Sequence, residues 1–270
     1  MKHFLRLLVL SGVLTGINLQ AGPIHTETFE YQLDDVTLEG YLARPEEIDE
    51  PVPAVLIFHQ WAGPSEHEFD RARRLAELGY VALAADVYGK GYRPETVPER
   101  AALSGAYKSN REVFRERVKA ALDAVRGLPY VDGDRVVAIG YCFGGTAALE
   151  LARSGATLQG VVSTHGGLSS PTPDDAKNIK CPILVLHGAD DPYVPPEEVN
   201  AFEKEMEDAD VNYTFIAYPG AVHSFTDINA GSDTASGAAY DQDADKKSWE
   251  ETLKFISFRT QTAVPERVNE

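Results

Sequence analysis

Hydrophobic and polar residues alternate in two different ways along the chain, and the change of pattern predicts the fold. In Glu27–Tyr41, two alternating stretches flank a turn at Asp34-Asp35, which predicts an antiparallel hairpin at a sheet edge. After this hairpin, continuous apolar runs replace the alternation, as is typical of buried parallel strands. The first two runs are Ala54–Phe58 and Tyr80–Ala85, and helical spacing over Glu66–Leu78 separates them.

The alternation of strand and helix patterns continues to the end of the chain. Further strands are predicted at Val136–Ile139, Leu158–Ser163, Ile183–Leu186 and Asn212–Tyr218, and helices at Arg111–Arg126, Phe143–Ser154, Pro196–Glu207 and Lys246–Phe258. This order predicts a single α/β domain over residues 22–262, with a mostly parallel, doubly wound sheet. Two polar segments, Gly89–Ala106 and Asp227–Asp245, are predicted as loops beside a site.

The first 21 residues have the pattern of a signal peptide. Lys2 and Arg6 precede an apolar stretch over Leu7–Leu14, and a cleavage site follows near Ala21. The apolar stretch is too short for a stable membrane span. We therefore expect a periplasmic or secreted protein, with a flexible tail over residues 263–270.

Charge and cysteine content narrow the possible functions. The net charge is −17, and it becomes −19 without the leader, whose only charged residues are Lys2 and Arg6. Such an acidic surface repels phosphate backbones and anionic lipid heads, so neither nucleic acid nor membrane is expected as a partner. Cys142 follows the end of one predicted strand, whereas Cys181 precedes the start of another. In a parallel sheet these positions lie at opposite edges, which are too far apart for a disulfide.

The segment Gly140–Gly145, with the sequence Gly-Tyr-Cys-Phe-Gly-Gly, carries the strongest chemical signal. It lies between a buried strand and a helix, the context of a nucleophile elbow. The sharp turn requires glycines around the central residue, and the following helix directs N–H groups toward the side chain of Cys142. A thiol in this position has a lowered pKa, so Cys142 is the predicted nucleophile.

The chain order of such a site is nucleophile, acid and then histidine. Two acids, Asp190 and Asp191, follow the strand Ile183–Leu186, and either could serve. His223 follows the last strand and is the predicted base. Among the other histidines, His25 and His67 lie in polar contexts that suggest exposure, and His165 and His187 either line the site or are buried.

The loop after strand Ala54–Phe58 is expected to complete the site. In this topology one oxyanion N–H comes from that loop and one from the residue after the nucleophile, which selects the backbone of Trp61 and Phe143. The expected substrate pocket consists of His59, Gln60, Tyr141 and Phe225.

The sequence resembles the dienelactone hydrolase family of α/β-hydrolases over about Thr26 to Phe258. The similarity is carried by Gly140–Gly145, Gly188–Pro195, His223–Phe225, Leu75–Tyr80 and Ala85–Gly89. A cysteine in the elbow is typical of this family. The resemblance implies an α/β-hydrolase fold and a triad of Cys142, Asp191 and His223.

Two positions depart from the family pattern. Characterised members have a glutamate where this chain has Gln60, and an arginine, which helps to hold the substrate carboxylate, where this chain has Asp227. Gln60 cannot accept a proton, so activation of the thiol would depend on His223 and the helix N-terminus. A dianionic dienelactone is therefore not the expected substrate.

Together these features predict a monomeric or dimeric hydrolase that cleaves a small-molecule carboxylic ester or lactone through a covalent acyl-enzyme. No metal or cofactor is expected, because neither ligand clusters nor a phosphate-binding loop occur in the sequence. The alternatives are a non-catalytic small-molecule-binding protein with an idle thiol and a thiol redox protein. The latter is disfavoured because the chain has no Cys-x-x-Cys motif.

Overall fold

The computed structural model describes residues 22–262, so the predicted leader and the tail over 263–270 lie outside the described part of the chain. Within residues 22–262, eight strands form one sheet: β1 Ile24–Leu33, β2 Val36–Pro45, β3 Val52–Phe58, β4 Val81–Ala85, β5 Val131–Tyr141, β6 Gly160–Thr164, β7 Ile183–Gly188 and β8 Tyr213–Tyr218. Six α-helices accompany them: α1 Glu66–Glu77, α2 Val97–Ser109, α3 Arg111–Arg126, α4 Phe143–Arg153, α5 Pro196–Asp208 and α6 Gln242–Thr260.

The predicted hairpin is present at the edge of the sheet. Strands β1 and β2 pair antiparallel from Ile24↔Pro45 to Leu33↔Val36, and Asp34 in the turn has a φ of 50°. Aspartate tolerates this left-handed conformation better than most residues, which explains a tight turn without glycine. The pattern over Glu27–Tyr41 therefore predicted both the hairpin and its position at the edge of the sheet.

The other strands run parallel in the order β4-β3-β5-β6-β7-β8, with β2 antiparallel against β4. Side chains of α3, α4 and α5 cover one face of the sheet, and those of α1 and α6 cover the other. The apolar residues of β4 and of Ala54–Phe58 in β3 are buried, as the continuous hydrophobic runs predicted. The fold is the expected α/β-hydrolase fold, and the carboxyl ends of its parallel strands meet at one edge.

The prediction of a loop over Gly89–Ala106 was wrong, because α2 begins at Val97 within it. Thr96 and Glu99 form a capping box, in which each side chain accepts a hydrogen bond from the other residue's backbone N–H. Pro98 occupies the first turn, where a missing N–H has no cost. The second predicted loop, Asp227–Asp245, contains two short 3-10 turns, and α6 begins before its end, at Gln242.

Helix α4, which follows the elbow, is fixed by buried ion pairs. The Arg153 guanidinium bonds both carboxylate oxygens of Glu205 in α5, at 2.8 and 2.7 Å, and Glu150 accepts from Arg115 in α3 at 2.8 Å. Breaking such a buried pair is costly because it leaves an uncompensated charge, so these contacts tie α4 to its neighbours. Within residues 22–262, no helix has both the length and the apolar character that a membrane crossing requires.

Candidate active site

Cys142 lies between β5 and α4, as predicted, in a strained backbone conformation. Its φ is 55° and its ψ is −116°, a combination that costs about 1–3 kcal/mol for a residue with a side chain. The turn is so tight that a Cβ on Gly140 would overlap the carbonyl of Gly144. Strain of this kind persists only where the surroundings leave no alternative, and it turns the thiol toward the loops at the carboxyl edge of the sheet.

The structure brings Cys142, His223 and Asp191 together in one chain of hydrogen bonds. His223 Nε2 lies 3.1 Å from Cys142 Sγ, and His223 Nδ1 lies 2.8 Å from Asp191 Oδ2. Of the two acids that follow β7, Asp191 has a buried side chain, whereas Asp190 is exposed. The three residues follow β5, β8 and β7, so the topology of the sheet explains why distant segments meet.

Backbone contacts hold the imidazole and the carboxylate in place. The His223 N–H donates to Gly237 O at 3.2 Å, and the His223 carbonyl accepts from the Ala239 N–H at 3.0 Å. Asp191 Oδ1 accepts from the Tyr193 N–H at 2.8 Å, which leaves Oδ2 for the imidazole. Because the carboxylate accepts at Nδ1, His223 carries a proton there and presents Nε2 to the sulfur.

Electrostatics favour the thiolate and the imidazolium. Burial by itself raises the pKa of Cys142, but the attraction and hydrogen bond of His223, the charge of Lys108 and the Phe143 N–H outweigh it, so the pKa is lowered. Burial lowers the pKa of His223, whereas its contacts with Cys142 and Asp191 raise it to about 10. The lowered pKa of Cys142 and the raised pKa of His223 both favour a thiolate–imidazolium ion pair, as in reactive cysteine sites.

A cavity of about 400 Å³ opens beside this pair. It is walled by α2, by the loop after β3 and by the loops that carry Tyr193 and His223; its lining residues are Trp61, Ala101, Ser104, Gly105, Lys108, Cys142, Gly167, Tyr193, Val194, His223, Ser224 and Ala238. Small side chains dominate, and the Tyr193 ring meets the His223 ring edge-to-face at 5.3 Å. The Lys108 ammonium is the cationic group that α2 contributes to this wall.

Trp61 and Phe143, which were predicted to supply oxyanion N–H groups, lie in the cavity wall and directly after Cys142 respectively. Trp61 is half-buried and lines the cavity, and its carbonyl accepts from the Tyr88 hydroxyl at 3.0 Å. Phe143 is the first residue of α4, and its backbone N–H helps to lower the pKa of Cys142. Its ring stacks on Phe114 at 4.8 Å, which fixes the start of the helix.

None of the four residues predicted for the substrate pocket lines this cavity, namely His59, Gln60, Tyr141 and Phe225. Tyr141 and Phe225 are buried in the core on the side of α1 and α6. Tyr141 faces that side because alternate residues along a strand face opposite sides of the sheet. His59 has no exposed surface and packs against the rings of Tyr88 and Phe143. Its Nε2 accepts from the Val87 N–H at 3.2 Å, so it supports the loop after β3.

Gln60 and Asp227, the two residues that depart from the family pattern, contact each other. Gln60 Nε2 donates to Asp227 Oδ2 at 3.1 Å, and only 7% of the Gln60 surface is exposed. A carboxylate at position 60 would meet that of Asp227 at hydrogen-bond distance, where like charges repel. The neutral amide at position 60 is therefore matched to the acid at position 227.

Sequence reasoning missed the residues that line the cavity away from the elbow. Lys108, Tyr193, Val194 and Ala238 come from three segments, and no motif links them. For Lys108 the capping box at Thr96 was a usable signal, since it predicts a helix where a loop was expected. The expectation that His67 is exposed was also wrong, because its side chain is only 8% exposed.

Comparisons with known proteins agree with this architecture. The model of the dienelactone hydrolase family matches residues 38–259. An Escherichia coli (strain K12) protein named "Putative carboxymethylenebutenolidase" is 30% identical over 199 residues, which cover 70% of this chain and 73% of that protein. A dienelactone hydrolase-like promiscuous phosphotriesterase from metagenomic libraries is 39% identical, with a TM-score of 0.83 over 88% of this chain and 99% of its own. The family match spans most of the sequence and includes all three residues of the hydrogen-bonded chain, so this protein belongs to the dienelactone hydrolase family.

Proposed function

We propose that this member of the family hydrolyses carboxylic esters or lactones through a covalent acyl-enzyme on Cys142. The observation that carries the proposal is the continuous contact from Cys142 Sγ through His223 to Asp191, at 3.1 and 2.8 Å. Nucleophile, base and orienting acid within hydrogen-bond reach are the geometric signature of nucleophilic catalysis.

In the first half of the reaction, the Cys142 thiolate attacks the substrate carbonyl and a C–S bond forms. The carbonyl oxygen becomes an oxyanion that the N–H groups of Trp61 and Phe143 stabilise, a contribution of about 10²–10³ in rate for one such donor. The tetrahedral intermediate then collapses and the C–O bond to the alkoxide breaks. The His223 imidazolium donates its Nε2 proton to that alkoxide, and Asp191 stabilises the imidazolium until then.

The second half of the reaction requires a neutral His223, and acylation itself provides it. The negative charge of Cys142 is the largest contribution that raises the His223 pKa. Once the sulfur is acylated that charge is gone, so the imidazole pKa falls and the ring can act as a base at neutral pH. His223 then removes a proton from water, the resulting hydroxide attacks the thioester, and the carboxylic acid and the thiolate are released.

The cavity sets limits on the substrate. A volume of about 400 Å³ with mostly small side chains suits a compact ester or lactone. Asp227 stands where an arginine would hold a substrate carboxylate, and it is already bonded to Gln60. Dianionic dienelactone is accordingly proposed as a poor substrate.

We further propose that the protein is exported to the periplasm or secreted after cleavage near Ala21. This proposal depends on the leader pattern over residues 1–21 and on no structural observation. N-terminal sequencing of the protein recovered from the periplasm and medium of expressing cells tests it. Retention of the intact N-terminus in the cytoplasm would contradict export.

The decisive experiment compares wild type with Cys142→Ala and His223→Ala on p-nitrophenyl esters from acetate to octanoate. Dienelactone and a p-nitrophenyl phosphotriester are added as further substrates, the latter because the 39%-identical relative is named a promiscuous phosphotriesterase. Ester turnover that both variants lose supports the proposal. Absence of turnover together with slow alkylation of Cys142 would favour the alternative, a non-catalytic binding protein.

A further inference from the structure

A second chain of hydrogen bonds reaches Cys142 from outside the cavity and ends on a buried carboxylate. The Cys142 N–H donates to His165 Nδ1 at 3.1 Å, and His165 Nε2 lies 2.8 Å from Thr226 Oγ1. Thr226 Oγ1 lies 3.1 Å from His67 Nε2, and His67 Nδ1 lies 3.1 Å from Glu68 Oε1. We call His165, Thr226, His67 and Glu68 the histidine tether; none of the four lines the cavity.

Every proton in the histidine tether has one possible position when both histidines are neutral. Because the Cys142 amide can only donate, His165 Nδ1 accepts, and His165 must carry its proton on Nε2. That proton goes to Thr226, whose single hydroxyl hydrogen then points to His67 Nε2. His67 therefore carries its proton on Nδ1 and donates it to Glu68.

Both ends of the histidine tether are firmly held. Glu68 also accepts from the backbone of Gln60 at 3.3 Å, and from the Ser65 N–H and hydroxyl at 3.0 and 2.8 Å. At the other end, the Cys142 N–H is shared between His165 Nδ1 and the Thr164 carbonyl, each at 3.1 Å. The tether therefore joins the N-terminal cap of α1 to the backbone of the strained residue itself.

His165 is also strained and has no exposed surface. Its φ is 38°, a conformation that few residues other than glycine adopt, and its ring meets those of Phe225 and His223 edge-to-face at 5.0 and 5.4 Å. Burial, followed by the nearby charge of His223, holds the pKa of His165 well below its ordinary value. His165 consequently stays neutral, and its Nδ1 remains an acceptor while His223 carries a proton.

We propose that His165 is a positioning residue for the nucleophile: through the histidine tether it holds the Cys142 backbone in the conformation that directs Sγ at His223 Nε2. The inference rests on the proposed function only where it predicts a change in ester turnover. Its effect on the thiol is independent of any substrate, because a displaced sulfur loses the imidazolium that stabilises the thiolate.

Thr226→Val and Thr226→Ser form the matched pair that tests the proposal. Thr226 is buried, and valine keeps its shape but removes the hydroxyl, whereas serine keeps the hydroxyl. We expect Thr226→Val to lower kcat about 10- to 100-fold with KM within about twofold, because the bond acts on the reacting geometry. Alkylation of Cys142 by iodoacetamide at neutral pH should slow in parallel, and Thr226→Ser should stay within about threefold of wild type in both assays.

Side-chain ¹⁵N NMR of histidine-labelled protein gives a readout that a purely structural role would not change. We expect His165 to show the Nε2–H tautomer in wild type and Thr226→Ser, and a mixed or reversed tautomer in Thr226→Val. His165→Asn, which keeps an acceptor and tolerates a positive φ, should retain more activity than His165→Ala.

Three results would overturn the tether: unchanged alkylation and kcat in folded Thr226→Val, an Nδ1–H tautomer of His165 in wild type, or equal losses in the valine and serine variants. If wild type hydrolyses no ester, the proposed function fails, but the alkylation rates and the tautomer still decide the tether. The two failures are therefore distinguishable.

Discussion

The two sides of Cys142 are built in opposite ways. On one side, the histidine tether and the elbow consist of buried side chains whose hydrogen bonds leave a single arrangement. On the other side, the cavity wall formed by α2 is largely exposed, and Ser104 is its one buried residue. The Cys142 backbone is thus held from the rigid side, and the cavity opens on the adaptable side.

This difference separates the residues that position the nucleophile from the residues that would select the substrate. A nucleophile displaced by about 1 Å loses a large part of its rate, so its support must be over-determined. A helix that packs loosely can change its side chains with little cost in stability, which makes α2 the segment where substrate preference can vary.

Asp191→Asn tests the chain of hydrogen bonds that joins Cys142, His223 and Asp191. The amide can present an N–H to His223 Nδ1, which favours the wrong tautomer, so we expect kcat to fall about 10²–10⁴-fold. Asp190→Asn is the matched control, since Asp190 is adjacent but exposed, and it should remain within about twofold of wild type. Steady-state kinetics on one p-nitrophenyl ester are sufficient. Equal losses in both variants would contradict the assignment of the acid.

Two glycine-to-alanine substitutions compare the two sides directly. A Cβ on Gly145 would lie 2.6 Å from Ser163 Oγ and 2.8 Å from Gly166 Cα, so the backbone must move, and we expect a loss of about 3 kcal/mol or more of unfolding free energy. A Cβ on Gly105 in α2 meets nothing within 4 Å, so alanine should stabilise the helix by about 0.5–1 kcal/mol. Urea unfolding measures both. Similar losses at the two positions would remove the proposed contrast.

The pH dependence of kcat/KM tests the ion pair of Cys142 and His223. Because the His223 pKa is raised to about 10, the imidazolium is present below that pH and is lost as the pH rises through it. We expect kcat/KM to fall about tenfold per unit of pH above about 10, and to persist below the ordinary thiol pKa of about 8.5 because the Cys142 pKa is lowered. An alkaline limb near pH 7 would show that the ion pair does not form.

Gln60→Glu should have the smallest effect, and it acts on stability. The new carboxylate faces Asp227 at hydrogen-bond distance, which should cost about 1–2 kcal/mol of unfolding free energy at neutral pH. Since the repulsion raises the folded-state pKa of the introduced carboxyl group, the loss should shrink as the pH falls through that pKa. Gln60→Glu combined with Asp227→Asn should restore stability. Urea midpoints that do not depend on the residue at position 227 would contradict the pairing.

The elbow was predictable from the sequence, whereas the cavity wall and the histidine tether were not. The elbow is local: a buried strand, a glycine-rich turn and a helix identify Cys142 by themselves, and strand order then limits the base to His223. The choice of Asp191 over Asp190 required the family resemblance. In the structure, Asp191 is the one of the two whose buried side chain reaches the imidazole.

The pocket depends on distances that periodicity does not encode. His59 and Phe225 were expected there because they adjoin motif residues, yet neighbours along a strand or turn face different sides of the sheet. Lys108 was missed because α2 was predicted as a loop. His165 and His67 were left open or predicted as exposed, since their partner Thr226 is distant in sequence and a threonine carries no signal of its own.

The hydrogen bond between Gln60 and Asp227 also constrains the order in which this chain could acquire a glutamate at position 60 and an arginine at position 227. Replacing Gln60 first places two acids face to face, an intermediate with a penalty. Replacing Asp227 by arginine first brings no like charges together, because the Gln60 amide can rotate and accept a hydrogen bond from the guanidinium through its oxygen. Of the two single-step routes between this pair and a glutamate–arginine pair, the one that introduces the arginine first avoids two facing carboxylates, and its cost is limited to the hydrogen bond that Asp227 Oδ1 accepts from the Asn229 N–H. The two positions are thus epistatic, and laboratory evolution toward carboxylate-bearing lactones should fix the arginine before the glutamate.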